Sequence, residues 1–489
     1  MAGTPREIVS HPHGKIARFS VKILFFVDTL GGTRHFPGVV QELAERGHTV
    51  VLATARQDER SKRGAYDHPR IDIVSCPTQR TDRWSGMIDT VRRVSDGVRF
   101  FDPRYAQADK LVARAEAQMP ATWRALFARR PWLKRRWALM QRGAGLIEAV
   151  TPCEPQFQRF IERHAPDVIL VTPLVDFGSY QTDYVKCANR LGIPVLFLLY
   201  GWDNLTSKGL LRVKPDRVLV WNAPQRDEAV AFQDMPADRI IAAGAARFDP
   251  FFAMTCSTGR DEFCGDLGFD PARPVLLYMC SSGLMAPDEP EFVWRWITAL
   301  RNAPGESWLR RCQVLIRPHP AYREHWDQVE SRDADTRVWS GKLKMNADQG
   351  LFDTLFHSTA VVALNTSGMI EAAIIGRPVY TVALPEFAAC QGGTLHFSHV
   401  LGENGGIVHL DVSLEDHVRR LGDAPNRAAE TEARSREFLA SFVRPQGLDV
   451  PVGRVVIQEI ERAGSMGKRP RRIFSSRRRP SLVGPIPNS

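Results

Sequence analysis

Short apolar runs recur along this chain, each followed by a polar or glycine-containing loop and then a helical pattern. They come in two separate series. The first comprises residues 21–27, 48–54, 70–75, 167–172, 193–200, 217–221 and 239–243; the second comprises 274–280, 313–317, 360–364, 378–382 and 407–410. A strand that is apolar throughout is buried on both faces, as in a parallel sheet covered by helices on both sides. Alternation of such strands with helices predicts two α/β units, each a doubly wound, Rossmann-like parallel sheet. Between about 80 and 150 the alternation stops, and an Arg-rich, Trp-containing helical stretch reads as an insertion in the first unit. A linker with Pro250 and Gly259 separates the two series, and residues 449–463 read as a last helix.

A length of 489 residues fits two cores and short tails. The expected divisions are a leader over 1–20, a first domain over 21–250, a second over 251–462 and a basic tail over 463–489. A hydrophobic share of 44% with 25% charged residues is that of a water-soluble globular chain. No run approaches the roughly 20 apolar residues of a membrane span. The first residues carry no apolar signal segment, and the eight cysteines form no CxxC pair or Cys/His cluster, so reduced thiols and a cytoplasmic location are expected. The net charge of +10 is unevenly placed. Seven Lys/Arg lie between Lys468 and Arg479 with no acid, and the balance without them is only +3. A second carboxylate-free basic block runs from Glu116 to Glu148.

In open parallel sheets ligands bind beyond the carboxyl ends of the strands, so the loops after each run are where chemistry is expected. After 21–27 come Gly31 and Gly32, where bare backbone can approach a ligand, and then His35, an imidazole able to take a proton near neutral pH. A histidine that merely packs the turn is the alternative. After 313–317, Arg317-Pro-His319-Pro presents a guanidinium and an imidazole on a proline-stiffened turn, suited to phosphate; a rigid structural turn is the other reading. After 360–364 comes Asn365-Thr366-Ser367-Gly368-Met369-Ile370-Glu371. Its hydroxyls and small residues suit a diphosphate at a helix start, and Glu371 one turn in would accept bonds from ribose hydroxyls. Ser367 and Glu371 as simple helix caps explain the same letters.

Ser281, Ser282 and Gly283 follow 274–280 and add a weaker phosphate loop. The polar loop with Asp203, Asn204 and Lys208, and the segment with Thr394, suit an acceptor, although Asp and Asn are also ordinary turn formers. Asp333 and Asp335 have metal-ligand spacing but lie in an acidic loop, so no metal and no cofactor is expected. Trp123, Leu126, Phe127, Leu133, Trp137 and Met140 fall near helical spacing among arginines. That pattern fits an anionic membrane surface, or a helix pair packed on the first domain.

Together, GGTRHFPGVVQELAERGHTV, IRPHP, GAARFDP and NTSGMIEAAIIGRPV resemble GT-B glycosyltransferases, in particular bacterial capsule polysaccharide transferases and CDP-glycerol glycerophosphotransferases. The resemblance covers about 21–65 and 165–445, and the third loop is its most specific part. It implies a metal-independent enzyme that moves a sugar from a nucleotide-activated donor to a glycan or lipid-linked acceptor in surface polysaccharide or glycolipid synthesis. His35 would be the base, Arg317 and His319 would face the leaving phosphate, and Thr366, Ser367 and Glu371 would hold diphosphate and ribose. A CDP-glycerol transferase or a nucleotide-sugar 2-epimerase of the same fold are the nearest alternatives. A non-catalytic protein binding nucleic acid or a membrane surface is the alternative of another class. Nucleic acid is the weaker of these partners, because the basic charge sits in two segments and leaves the sheet loops unexplained. Peripheral contact with the inner face of the cytoplasmic membrane, through 119–147 and the tail, is the stronger.

Overall fold

The computed structural model describes residues 20–56, 64–281, 286, 288–319, 326–341 and 347–467. Seven parallel strands form the first sheet: β1 (Lys22–Val27), β2 (Thr49–Thr54), β3 (Ile71–Ser75), β4 (Val168–Val171), β5 (Val195–Leu198), β6 (Arg217–Val220) and β7 (Ile240–Ala242). Their spatial order is β3-β2-β1-β4-β5-β6-β7. The second sheet holds β8 (Val275–Met279), β9 (Gln313–Arg317), β10 (Thr336–Val338), β11 (Ala360–Ala363), β12 (Val379–Val382) and β13 (Val408–Asp411) in the order β10-β9-β8-β11-β12-β13. Both are Rossmann-like. The order reverses between β1 and β4 in one sheet and between β8 and β11 in the other, and a crevice opens at the carboxyl end of each switch point.

Twelve of these thirteen strands fall on the apolar runs. The exception is the edge strand β10, whose three residues Thr336, Arg337 and Val338 are too few and too polar to stand out. The runs are continuous because each face of the sheet is covered. On β1, Leu24 and Phe26 pack into one helical layer, while Ile23, Phe25 and Val27 pack into the other.

The chain crosses between domains twice. Beyond the second sheet, helix Val452–Ser465 returns to the first domain and buries Val452, Val456, Ile457 and Ile460 beside Val21, Ile23 and Val39. The second-domain span read from the sequence, 251–462, therefore ends too late: its last helix belongs to the first domain's core. The crossing is tight at Gly244, which has φ 112° and where a Cβ would lie 2.5 Å from Val452 and 2.8 Å from the Val443 carbonyl oxygen. Trp221 packs edge-on against Phe248 and Phe442, Asn222 donates to the Phe442 carbonyl at 3.0 Å, and Arg444 pairs with Asp249 at 2.7 Å.

The insertion is a set of helices, Ser85–Val98, Asp109–Gln118, Ala121–Arg129 and Trp137–Val150, lying between β3 and β4. Phe127 is buried, and Trp123, Leu133, Trp137 and Met140 pack with it against Val94, Val98 and Met119. The stripe expected to face a membrane is thus mostly the packed face of the insertion, because its large rings fill the gap between the helices. Among the described residues no helix is long and apolar enough to cross a membrane.

Candidate active site

Residues after β1, β4 and β5 line a cavity of about 440 Å³ in the first domain. Its wall includes Asp28, Gly31, Gly32, Arg34, His35, Pro173, Asp176 and Tyr200. The turn Leu30–His35 follows β1 directly, and Phe36 anchors it by packing on Phe25. A Cβ on Gly31 or Gly32 would make only ordinary contacts at 3.5 and 3.8 Å, so these glycines contribute bare backbone to the cavity rather than relief of a clash.

The His35 ring lies 4.7 Å from the Tyr200 ring, and its Nδ1 is buried with no hydrogen-bond partner. Burial, helped by the charges of Arg247, Arg34 and Lys208, pushes its pKa down to about 3. It is therefore a neutral imidazole at pH 7. Lys208 donates to Asp176 at 2.8 Å and to the Tyr200 hydroxyl at 2.5 Å. Tyr180 donates to Asp28 at 3.1 Å, and burial and the neighbouring Asp176 raise the Asp28 carboxyl.

In the second domain the loop after β11 leads into helix Gly368–Ile374. Gly368 is packed so closely that a Cβ there would lie 2.5 Å from Met279, which brings helix Gly368–Ile374 hard against β8. Neither Ser367 nor any other side chain caps the helix; the Gly368 N–H makes only a long 3.4 Å bond to the Thr366 hydroxyl. Glu371, one turn in, is 3% exposed. Its Oε1 takes the Arg247 guanidinium at 3.2 Å, and its Oε2 is buried without a partner. Burial raises its carboxyl above the ordinary range and Arg247 opposes that. Since Arg247 lies in the turn Ala246–Phe248 that follows β7 in the first domain, this pair joins the two halves. The same guanidinium acts electrostatically on His35. Arg247 thus acts on both His35 in the first domain and Glu371 in the second.

Other expected site residues brace the loops. Asn365 donates to the Cys390 carbonyl at 2.5 Å and to the Thr394 hydroxyl at 3.2 Å, while Gln391 donates to the Leu364 and Val382 carbonyls at 3.2 Å each. Thr394, read as an acceptor contact, is therefore a buried support behind the loop. Asn204 is likewise buried, and its Oδ1 accepts the Gly201 N–H at 2.8 Å. Asp203 accepts from Ser207 at 2.7 Å and is held below its usual range against the cost of burial, chiefly by His396. Lys208 alone of that loop lies beside His35.

Arg317 donates to the carbonyls of Gly350 at 3.1 Å and Ala347 at 3.3 Å and lies 5.0 Å from the Trp339 ring. Its charge braces helix Ala347–Phe356. Burial lowers the pKa of His319. The Ser281 N–H donates to Glu289 at 2.9 Å, and its hydroxyl accepts from the Asn365 N–H at 3.4 Å, tying the ends of β8 and β11 together. Ser282 and Gly283 lie outside the described residues. Asp333 and Asp335 pair with Arg301 at 2.7 Å and Arg273 at 2.6 Å, which accounts for both carboxylates.

The sequence reading missed Arg247 as a site residue and Tyr200 as the wall beside His35. The signal for Arg247 was its place directly after an apolar run, within GAARFDP.

No protein-family profile matches the chain, and no curated protein matches it in sequence. Solved structures do match over nearly the whole length. UDP-GlcNAc 2-epimerase from Methanocaldococcus jannaschii shares 9% identity with a TM-score of 0.51, covering 91% of this chain and 100% of its own. A glycosyltransferase from Rickettsia africae shares 10% with a TM-score of 0.51, covering 91% and 98%. UDP-GlcNAc 2-epimerase from Neisseria meningitidis, solved with UDP-GlcNAc bound, shares 10% with a TM-score of 0.50, covering 91% and 100%. Two Rossmann-like parallel-sheet domains facing each other across a cleft, matched end to end by these structures, give the chain the GT-B fold.

Proposed function

We propose that the chain is a glycosyltransferase that moves a sugar from a nucleotide-activated donor, held by the second domain, to an acceptor hydroxyl held by the first. The observation that carries this reading is Arg247, which pairs with the half-satisfied carboxylate of Glu371 in the second domain and acts electrostatically on the neutral imidazole of His35 in the first. Buried polar atoms without partners are uncommon in folded proteins and need an explanation. Here a ligand with hydroxyls at one end and a diphosphate at the other supplies it.

In this reading the ribose hydroxyls donate to Glu371, and Arg247 turns from the carboxylate toward the diphosphate. The acceptor oxygen attacks the anomeric carbon, His35 takes the acceptor proton, and the bond from that carbon to the diphosphate breaks. The nucleoside diphosphate leaves with the electron pair. An imidazole with a pKa near 3 is a weak base; burial first and three neighbouring cations second hold it there, and an incoming diphosphate offsets the cations. A guanidinium placed where charge develops is worth on the order of 3 kcal/mol in the transition state.

The test is a panel of UDP-, GDP-, CMP- and CDP-linked donors, read by thermal shift and by nucleotide release with and without acceptor glycans. Release of nucleotide only when acceptor is present supports transfer. Isomerised donor formed without acceptor supports the epimerase reading, which the two epimerases among the fold relatives favour. Stabilisation by none of the donors removes both. A CDP-glycerol preference would move the chemistry to phosphoglycerol transfer on the same frame.

On the acceptor side, we place the insertion against an anionic lipid surface, but through a different face from the packed stripe. Trp132, Leu139, Leu146 and Val150 are 55–80% exposed beside Arg135, Arg136 and Arg142. Exposed apolar side chains among arginines suit an anionic interface.

A further inference from the structure

A second cavity lies at the opposite edge of the second sheet, at the amino ends of β11 and β12. Its volume is about 610 Å³, and its wall includes Thr258, Arg260, Phe356, His357, Arg377 and Pro425. Nothing in the transfer chemistry uses it, since the carboxyl ends of the same strands face the cleft.

Its electrostatics are one-sided. No carboxylate lines it among the described residues. Arg260 is oriented by the carbonyls of His357, Arg273 (2.6 Å) and Pro271 (3.3 Å). Arg377 is held by the Phe356 carbonyl at 2.5 Å and lies 5.7 Å from the Phe356 ring. All of these partners are neutral. Burial and the charge of Arg260 together push the Arg377 guanidinium below its ordinary value, so the two like charges strain each other. Two polar atoms here, Arg377 Nε and Thr258 Oγ1, are buried with no hydrogen-bond partner. An uncompensated charge and orphaned donors in one recess cost stability unless something answers them.

The geometry points to a binding site for a small phosphate-bearing molecule, whose phosphate meets Arg260, Arg377 and Thr258 while its body lies against Phe356 and Pro425. Guanidinium groups suit phosphate because their planar N–H fork matches its oxygens. The volume falls within the roughly 300–1,000 Å³ of small-molecule sites. This inference is independent of the donor reading, because the recess lies at the amino ends of β11 and β12, whereas the helix start at Gly368 follows the carboxyl end of β11.

The probe is inorganic pyrophosphate, titrated calorimetrically into the full chain and into three variants. Arg377→Met removes the strained charge. Ala428→Glu adds a carboxylate at an exposed position on the rim, where folding is not at stake. Ala428→Ser, a neutral change at the same rim position, is the control. The expected result is binding weakened about tenfold or more by Arg377→Met and Ala428→Glu, a loss of about 1.4 kcal/mol, and left unchanged by Ala428→Ser. If Arg377→Met fails to fold, Ala428→Glu decides by itself. Binding that survives Ala428→Glu at parental strength overturns the proposal. So does binding lost equally in Ala428→Ser, or no binding to the parent at millimolar concentration.

Discussion

Two groups of buried polar atoms, one inside the first domain and one where the two domains meet, are built to opposite rules. Where the insertion meets the sheet helices, Arg92 donates to Glu148 at 2.8 and 3.0 Å and to Asp183 at 2.6 and 3.1 Å. Arg80 also reaches Asp183 at 2.6 Å, and Lys186 pairs with Glu148 at 2.5 Å. Every member is almost fully buried and every charge is answered. Where the domains meet, Glu371 is as enclosed and His35 is half-buried, yet each keeps a buried atom without a partner. A closed network holds a position, whereas an open one leaves polar atoms unanswered by the protein itself.

Breaking the closed network should have the largest effect on stability. Asp183→Ala leaves Arg80 and Arg92 facing each other without their shared carboxylate, and removing one partner from a buried ion pair costs about 3–5 kcal/mol. Urea denaturation measures it; a loss below about 1 kcal/mol would show the network to be spare. His35→Ala should do the reverse. Its neutral ring makes no hydrogen bond through Nδ1, so the denaturation midpoint should hold while turnover falls by about 10²–10⁴. Parental turnover would remove the base from the mechanism.

Two carboxyls sharpen the contrast through pH. The Arg92 and Lys186 charges overcome burial and hold Glu148 at about 2, against an ordinary 4.5. The unfolded chain then binds the proton more readily, so this stabilisation is complete above pH 4.5 and is lost as pH falls toward 2. Burial raises Glu289 to about 7, with the Ser281 N–H and the Tyr278 hydroxyl pulling the other way. The sign reverses: its favourable contribution is complete below pH 4.5 and is lost as pH rises through 7. Each amounts to on the order of 3 kcal/mol. Parental stability measured from pH 3 to 8 should therefore peak between the two windows, and Glu289→Gln should flatten the upper limb. An unchanged upper limb would mean that Glu289 is not the group responsible.

Glu371→Ala is expected to act on affinity. Two ribose hydroxyl bonds to a buried carboxylate are worth about 1.5–3 kcal/mol, so donor Kd should rise at least tenfold with the fold intact. Equal affinity would leave the Arg247–Glu371 pair as a domain latch and nothing more.

The fold was legible because burial on both faces of a parallel sheet writes itself as apolar runs. Only β10, three residues long at an edge, escaped. The candidate site was legible as far as strand ends locate it, which is why His35 and Glu371 stand where the loops placed them. What could not be read is which way a polar side chain turns. Arg317 and Arg247 each lie at or just after a strand end, yet one braces Ala347–Phe356 and the other reaches the second domain, a choice made by partners 30 to 124 residues away. The same limit explains Thr394 and Asn204, whose letters suit a ligand as well as a loop brace.

The insertion offers the smallest stability effect and a sharp functional one. Helix Trp137–Val150 puts Trp137 and Met140 inward and leaves Leu139, Leu146 and Val150 outward, each at least 65% exposed. A Cβ on Gly143 or Gly145 of the same helix would meet nothing within 4 Å, so among the described residues none covers those two positions. Leu139→Ser with Leu146→Ser should change folding stability by no more than about 0.5 kcal/mol, because exposed side chains away from special features rarely matter more. If the face meets lipid, the same pair should abolish flotation with vesicles containing anionic lipid, and raised salt should weaken flotation of the parent, since the arginines act through screened charge. A double variant that still floats would return the insertion to the status of the closed network that anchors it: architecture, with no surface of its own to offer.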